Sequence, residues 1–461
     1  MATLNPRGPL TTEELSSLYP SSLQLHLVHI IFRHGERSPV SARFQNTGLT
    51  PFWPYCKSAA KFKSAVLEPT GEWSSLAHRR RTETFGKAAG TAIVTGPDGD
   101  MDGICLLGEL TNAGRATTLH LGQRIRKLYV EQLKFLPENI GTESEYYLRA
   151  TFVPRALESL QQVVAGLYPA VNRSPTSPVL TIHQRFFSDE NLFPNEANCK
   201  RFRQIMREYS KMSAEKWNNS PEMQHLQSRI GKYIEDGSAI SVDGHPKLSG
   251  IMDTVNATLA HGPATKLPKE FYEEEVGRNM DTINVDEWFG AYSKSSECRR
   301  LGVGSLLGET LDRMLAATSD APEKEGRLKI ALMGSHDTTI AALLASLGAF
   351  DGKWPRFTSS VAFEMFREKE LKQSKSLWNK LTRRGDLKGA EDGYYVRLKY
   401  NEYPVAIKGC KKPGNHLKGD ESFCTLAAFK EIVGNMRPKD WAAECLVNLD
   451  KTGIPPVEEV E

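Results

Sequence analysis

The segment Leu23 to Phe32 (LQLHLVHIIF) constrains the fold most, because a short run so dense in Leu, Val and Ile reads as a buried strand rather than a helix. It ends without a break in Arg33-His34-Gly35-Glu36-Arg37-Ser38-Pro39. Strands buried on both faces belong to sheets covered by helices, and such sheets place their ligands beyond the carboxyl ends of the strands. Downstream, Thr111 reads as the N-cap of a helix through Leu121, Ile125 and Leu128 to about Leu136. Tyr146–Leu148 then reads as a strand and Pro154 opens a second helix, closed by Gly166 and Pro169. Leu306–Ala316 (helix), Leu328–Met333 (strand) and Thr338–Leu347 (helix) repeat the alternation, and Val361–Phe366 and Tyr394–Tyr400 read as antiparallel edge strands. The expectation is an α/β fold with a mixed, mostly parallel sheet flanked by helices. The core spans 23–187 and 299–435, interrupted by a helical cap at 188–298, with a cap contribution from 44–102 that carries the turn signal Gly96-Pro97-Asp98-Gly99. An extension, 1–22, and a tail, 436–461, flank it.

Composition narrows the function classes. Lys and Arg exceed acids by 59 to 56, so no global charge points to nucleic acid or anionic lipid. No run approaches the roughly 18 apolar residues of a membrane span. The seven cysteines include no CxxC pair, so neither zinc nor a redox motif is indicated and a reduced compartment is expected. Residues 1–22 lack the apolar core of a secretory signal. The expected location is therefore intracellular, in the cytoplasm, with the mitochondrion as the alternative. The sequons at Asn172, Asn218 and Asn256 are read as chance matches.

The chemistry lies at strand ends. A His flanked by two Arg can present its imidazole to an electrophile whose negative charge the guanidinium forks hold; phosphate fits, against the bland reading of a basic turn in solvent. Five specified positions at roughly 5% usage give on the order of one match in several million windows. A second strand end carries Gly334-Ser335-His336-Asp337-Thr338-Thr339, and a third carries Arg149-Ala150-Thr151 before a helix bearing Arg155 and Ser159.

With these motifs the sequence resembles the histidine acid phosphatases, the RHGxRxP branch of the phosphoglycerate-mutase-like superfamily. The resemblance adds Leu110-Thr111 with Gly114, Leu192-Phe193-Pro194-Asn195, and Gly409-Cys410 with Cys424, and in order and spacing it is nearest the lysophosphatidic-acid-phosphatase-like members. Thr117 and Lys200 depart from the family pattern, where Gln and Pro are common. The resemblance implies a phosphomonoester hydrolase with His34 as nucleophile, Asp337 as proton donor, and Arg33, Arg37, Arg149 and His336 as the phosphate cradle. A phosphohistidine intermediate follows from it, with no cofactor and no metal, and an Asp general acid, unperturbed at about 3.9, implies an acidic optimum unless burial raises that value; Cys410 and Cys424 stand where some relatives pair cysteines. Mutase chemistry is disfavoured by Arg37 and Val40. Phytase-like activity, with Arg79-Arg80-Arg81 as a basic mouth, and a non-catalytic phosphate-binding role are the alternatives. Pro51–Tyr55 (PFWPY) is either an apolar wall for the alcohol half or core packing. The basic stretch 367–388 is read as an exposed insertion, and His26 and His29 as packing or hydrogen-bonding residues of the strand. The expected partner is a phosphomonoester, a lysophospholipid or other small phosphorylated metabolite, with no nucleic acid and no transmembrane segment.

Overall fold

The structure, a computed structural model, describes residues 2–85, 91–93, 103–173, 176–318, 327–369 and 391–454. The turn signal at 96–99 and nearly all of the basic stretch 367–388 lie outside them.

The strands in chain order are β1 (Leu23–Arg33), β2 (Lys61–Leu67), β3 (Trp73–Arg79), β4 (Glu83–Phe85), β5 (Thr91–Ile93), β6 (Tyr146–Ala150), β7 (Ile182–His183), β8 (Ile330–Ser335), β9 (Ser360–Glu368), β10 (Tyr394–Tyr400), β11 (Tyr403–Val405), β12 (His416–Leu417) and β13 (Asp420–Thr425). Nine of them form one sheet in the order β12-β13-β10-β9-β1-β8-β6-β7, with β11 on β10. The sheet is mixed. β1, β8, β6 and β7 pair parallel, whereas β9 joins β1 antiparallel and β10 and β13 continue that sense. The two strands expected at an antiparallel edge are therefore interior.

The helices are α1 (Thr12–Leu18), α2 (Asn112–Ile125), α3 (Pro154–Leu167), α4 (Lys200–Trp217), α5 (Pro221–Ile230), α6 (Leu248–His261), α7 (Glu274–Lys294), α8 (Ser296–Arg299), α9 (Ser305–Ala317), α10 (Asp337–Ser346), α11 (Leu426–Met436) and α12 (Trp441–Glu444). Thr111 caps α2 by accepting from Gly114 N, and a more widely wound turn extends that helix through Gln132. One apolar layer holds Ile30, Phe32, Leu148, Leu160 and Leu332 beneath α2 and α3. The opposite layer holds Leu27, Ile31, Met333, Leu306 and Phe363 beneath α9, α10 and α11. The helices α4–α7 share a separate core with Phe44, Leu49 and Trp53. Pro51–Tyr55 thus contributes Trp53, 2% exposed, to packing.

Backbone contact fixes the loop after β1. A Cβ on Gly35 would lie 2.3 Å from Gly114 O, and one on Gly114 would lie 2.2 Å from Glu36 O. Only glycine at both positions lets the Arg33–Pro39 loop rest on the first turn of α2.

Six of the seven cysteines are paired. Cys56–Cys105, Cys199–Cys445 and Cys410–Cys424 are bonded and Cys298 is free and buried. Pairs separated by 49, 246 and 14 residues have no local spacing signature. His29 is fully buried with neither ring nitrogen hydrogen-bonded among the described residues, a packing residue. His26 places Nε2 3.0 Å from Ala317 O.

Candidate active site

The carboxyl ends of β1 and β8 converge because the two strands pair in register, Arg33 opposite Ser335. His34 N donates to Ser335 O at 3.0 Å, so His34 leaves its strand beside His336 and Asp337 leaving theirs. The His34 and His336 rings stand 5.5 Å apart, edge to face. Both are almost completely buried.

His34 is locked through both nitrogens. Nδ1 lies 2.8 Å from Gly35 O and therefore carries the proton, while Nε2 accepts from Arg155 Nε at 3.1 Å. Burial, and then Arg155, Arg33 and Arg37, hold its pKa well below 6.5. This favours the neutral imidazole, whose Nε2 lone pair faces a guanidinium. Burial and Arg155 likewise lower His336 to about 3, and its Nε2 sits 3.1 Å from Thr151 Oγ1.

Arg33 and Arg37 rest on the buried Phe357 ring, with guanidinium carbons 4.1 and 5.8 Å from its centroid. Arg33 donates to Pro355 O at 2.5 Å and pairs with Asp337 Oδ2 at 2.7 Å. Arg37 pairs with Asp253 Oδ1 of α6 at 2.7 Å. The Nε of each is buried and has no hydrogen-bond partner among the described residues, a donor pair suited to an oxyanion. Asp337 opens α10. Its Oδ1 accepts from Thr338 N at 2.9 Å and its Oδ2 from Trp354 Nε1 at 3.0 Å. Burial alone would raise its pKa, but Arg33, Arg37, Trp354 and His336 outweigh that and hold it below 3.8.

Arg149, expected in the cradle, is not brought to the site. It is fully buried, with its guanidinium on Glu190 at 2.5 Å and Glu309 at 3.3 Å. Side chains alternate along a strand, and Arg149 points to the layer that carries Glu190 and α9, one residue before β6 ends. Arg155 takes the place beside His34 instead. Pro154 starts α3 directly after the strand end, and the first helical turn swings Arg155 back over the loop. Burial and Arg37 lower its pKa to about 10, so it stays charged. The signal was in the sequence, since Arg155 belongs to the quoted motif. Asp253 and Trp354 carried none. Thr117, one of the departures, donates to Glu36 Oε2, keeping one oxygen of that buried carboxylate bonded.

Next to His336 and Asp337 opens a cavity of about 330 Å³ walled by Phe152, Phe193, Met206, Trp288, Phe289 and Tyr292, with Glu196 also on its lining. Phe193 stacks edge-on to His336 at 5.9 Å and reaches through Phe152 to Phe187 at the surface. These rings, rather than Pro51–Tyr55, wall the space beside the acid. Among the described residues, one group has metal-ligand spacing, Cys56, Cys105 and Glu109; it is a disulfide beside an Arg80-bound glutamate. No helix among the described residues is long and apolar enough to cross a membrane.

Comparison with known proteins gives a concordant picture. The family profile described as histidine phosphatase superfamily (branch 2) matches residues 24–401. A probable acid phosphatase of Schizosaccharomyces pombe is 38% identical over 454 residues, covering 93% of this chain and 95% of that one. Lysophosphatidic acid phosphatase type 6 of Homo sapiens is 26% identical over 441 residues, 92% of this chain and 87% of that one. In solved structures, the Hafnia alvei phytase with tartrate superposes with a TM-score of 0.58 at 15% identity, covering 92% of this chain and 99% of that one.

Proposed function

Because the chain belongs to branch 2 of the histidine phosphatase superfamily, and is an acid phosphatase hydrolysing phosphomonoesters, we propose that it does so through a phosphohistidine on His34. Nε2 of His34 attacks phosphorus while Arg33, Arg37 and Arg155 hold the non-bridging oxygens and His336 lends a neutral ring donor. The bond from phosphorus to the ester oxygen breaks, and Asp337 gives its proton to the departing alkoxide. Water then attacks the phosphohistidine, Asp337 takes back a proton, and inorganic phosphate leaves with His34 restored. The observation that carries this reading is the fixed tautomer of His34, whose nucleophilic nitrogen lies 3.1 Å from a guanidinium.

The ion pair between Arg33 and Asp337 belongs to the free protein. An arriving phosphoryl group draws Arg33 to itself, and its charge raises the Asp337 pKa, arming the acid only when substrate is present. Asp337→Asn then slows alkyl phosphates, whose leaving groups need a proton, far more than aryl phosphates. Equal losses on both contradict the assignment.

For the alcohol half, the ring-lined cavity beside Asp337 supports an apolar-bodied alcohol, and the relatives named as lysophosphatidic acid phosphatases are compatible with a lysophospholipid. Within the Arg79–Arg81 run, Arg80 gives the phytase reading little support, because it is engaged by Glu109. Comparing kcat/KM for lysophosphatidate, a short alkyl phosphate and inositol hexakisphosphate decides between them; preference for the hexakisphosphate sinks the apolar reading. The three disulfides favour an oxidising compartment over the cytoplasm. Thiol counting by mass spectrometry on protein from its native source tests this, with three bonded pairs expected.

A further inference from the structure

Trp354 lies in the connection between α10 and β9, outside every motif in the sequence, yet its indole reaches the reacting centre. Nε1 donates to Asp337 Oδ2 at 3.0 Å, the same oxygen that Arg33 Nη2 approaches at 2.7 Å. The ring is pinned on its other side. Trp288 and Phe289 of α7 lie 5.8 and 4.9 Å from it, and the backbone N of Trp354 donates to Asp281 Oδ1, also of α7, at 3.1 Å. One side chain thus joins the acid, which the α/β core carries, to the longest helix of the cap.

We propose that Trp354 is a positioning residue for the proton donor: it holds Asp337 Oδ2 in place when substrate draws Arg33 away, and it makes the orientation of the acid depend on α7. The proposal rests on the reading of Asp337 as the donor. Asp337 has two charge-assisted contacts on Oδ2 in the free protein, and the mechanism uses up the Arg33 contact on phosphate binding. What remains is the indole N–H on Oδ2 and Thr338 N on Oδ1. Without the indole the carboxyl is free to rotate about the bond that carries it, and alignment with the leaving oxygen is lost.

Two consequences separate this role from simple packing. Among the described residues no hydrogen bond links the indole to a cradle arginine, so the expected effect is retained substrate affinity with impaired proton delivery. The groups that face Asp337 are Arg33 from β1, Arg37 from the loop after it, Arg155 from α3, its neighbour His336, and Trp354. Of these side chains, Trp354 is the one outside the phosphate cradle. Its N–H stabilises the carboxylate, so removing it raises the pH at which the donor loses its proton.

Trp354→Phe keeps an aromatic ring against Trp288 and Phe289 and deletes the donor. The expected result is a loss of about tenfold in kcat on an alkyl phosphate, a much smaller loss on an aryl phosphate, and KM within about twofold. The descending, high-pH limb of the alkyl-phosphate kcat profile moves to higher pH. Uniform loss on both substrates with an unmoved limb, or no loss, overturns the proposal while Asp337→Asn keeps its dependence on the leaving group. If Asp337→Asn itself shows no such dependence, the donor assignment falls and this proposal with it. Should Trp354→Phe fail to fold, benzothienylalanine at 354, isosteric with tryptophan and lacking the N–H, gives the same readouts.

Discussion

Arg149 and Arg155 sit six positions apart in one motif and do different work, which is testable side by side. Arg155 touches His34, the proposed nucleophile, and its charge favours the neutral imidazole there. Removing a cation raises a histidine pKa. Arg155→Gln therefore folds normally but loses activity most at acid pH, where His34 becomes protonated, and recovers part of it as pH rises; a uniform loss at every pH contradicts this. Arg149 holds the buried Glu190. Arg149→Met leaves that carboxylate unpaired in the interior, so thermal or denaturant unfolding should show destabilisation of about 3–5 kcal/mol. Unchanged stability with weakened phosphate binding would return Arg149 to the cradle. The sequence made Arg33, His34, Arg37, His336 and Asp337 legible because each sits in a dense motif at a strand end. It did not separate the two arginines, since which face of β6 an arginine takes and how far a helix turn swings another are set by packing. Asp253 and Trp354 reach the site only through tertiary structure.

At the level of elements, strand–helix alternation was readable from Leu23 to Tyr400 because buried parallel strands announce themselves as short apolar runs. Which of them stand inside the sheet was not, since β9 and β10 differ from edge strands only in what pairs beside them. The motif glycines make sense at this scale. Gly114 matters as the surface on which the His34 loop lies, not as a flexible residue. Gly114→Ala drives a methyl into Glu36 O, so the loop must shift. Overpacking of this kind costs about 1–3 kcal/mol, and kcat should fall together with the unfolding midpoint. Wild-type kcat in a normally stable variant would show that the contact does not position His34. Glu364 supplies another element-scale tie. It joins β9 to Arg397 of β10 at 2.7 Å and to Tyr19 beyond α1 at 2.7 Å, so the segment expected as a mere extension is bonded into the sheet.

In the whole molecule, acid erodes the stability that buried, neutral histidines contribute. His29, His34 and His336 all have lowered pKa values in the folded chain, chiefly from burial. The unfolded chain takes up protons as pH falls through about 6.5, and the folded one does not until far lower. Their contribution to stability is full above that pH and shrinks as acid is added. The disulfides act independently of pH. Cys199–Cys445 closes a loop spanning 246 residues, from the start of α4 to the tail; the chain-entropy relation gives such a link about 5 kcal/mol. Reduction should lower the melting temperature at pH 5 and at pH 7, with the reduced protein least stable at pH 5. Equal melting temperatures before and after reduction contradict a structural role for the pairs. Cys410 and Cys424 stand where some relatives pair cysteines, but Cys56–Cys105 and Cys199–Cys445, separated by 49 and 246 residues, carry no local signature in the sequence.

Phosphoryl transfer through His34 leaves a covalent trace that can be captured. Rapid quenching of Asp337→Asn during turnover of an aryl phosphate, followed by peptide mass spectrometry under alkaline conditions, should find a phosphoryl group on His34 approaching one per chain, stable to alkali and lost in acid. Phosphate on another residue, or sustained hydrolysis by His34→Ala, would exclude His34 as the nucleophile.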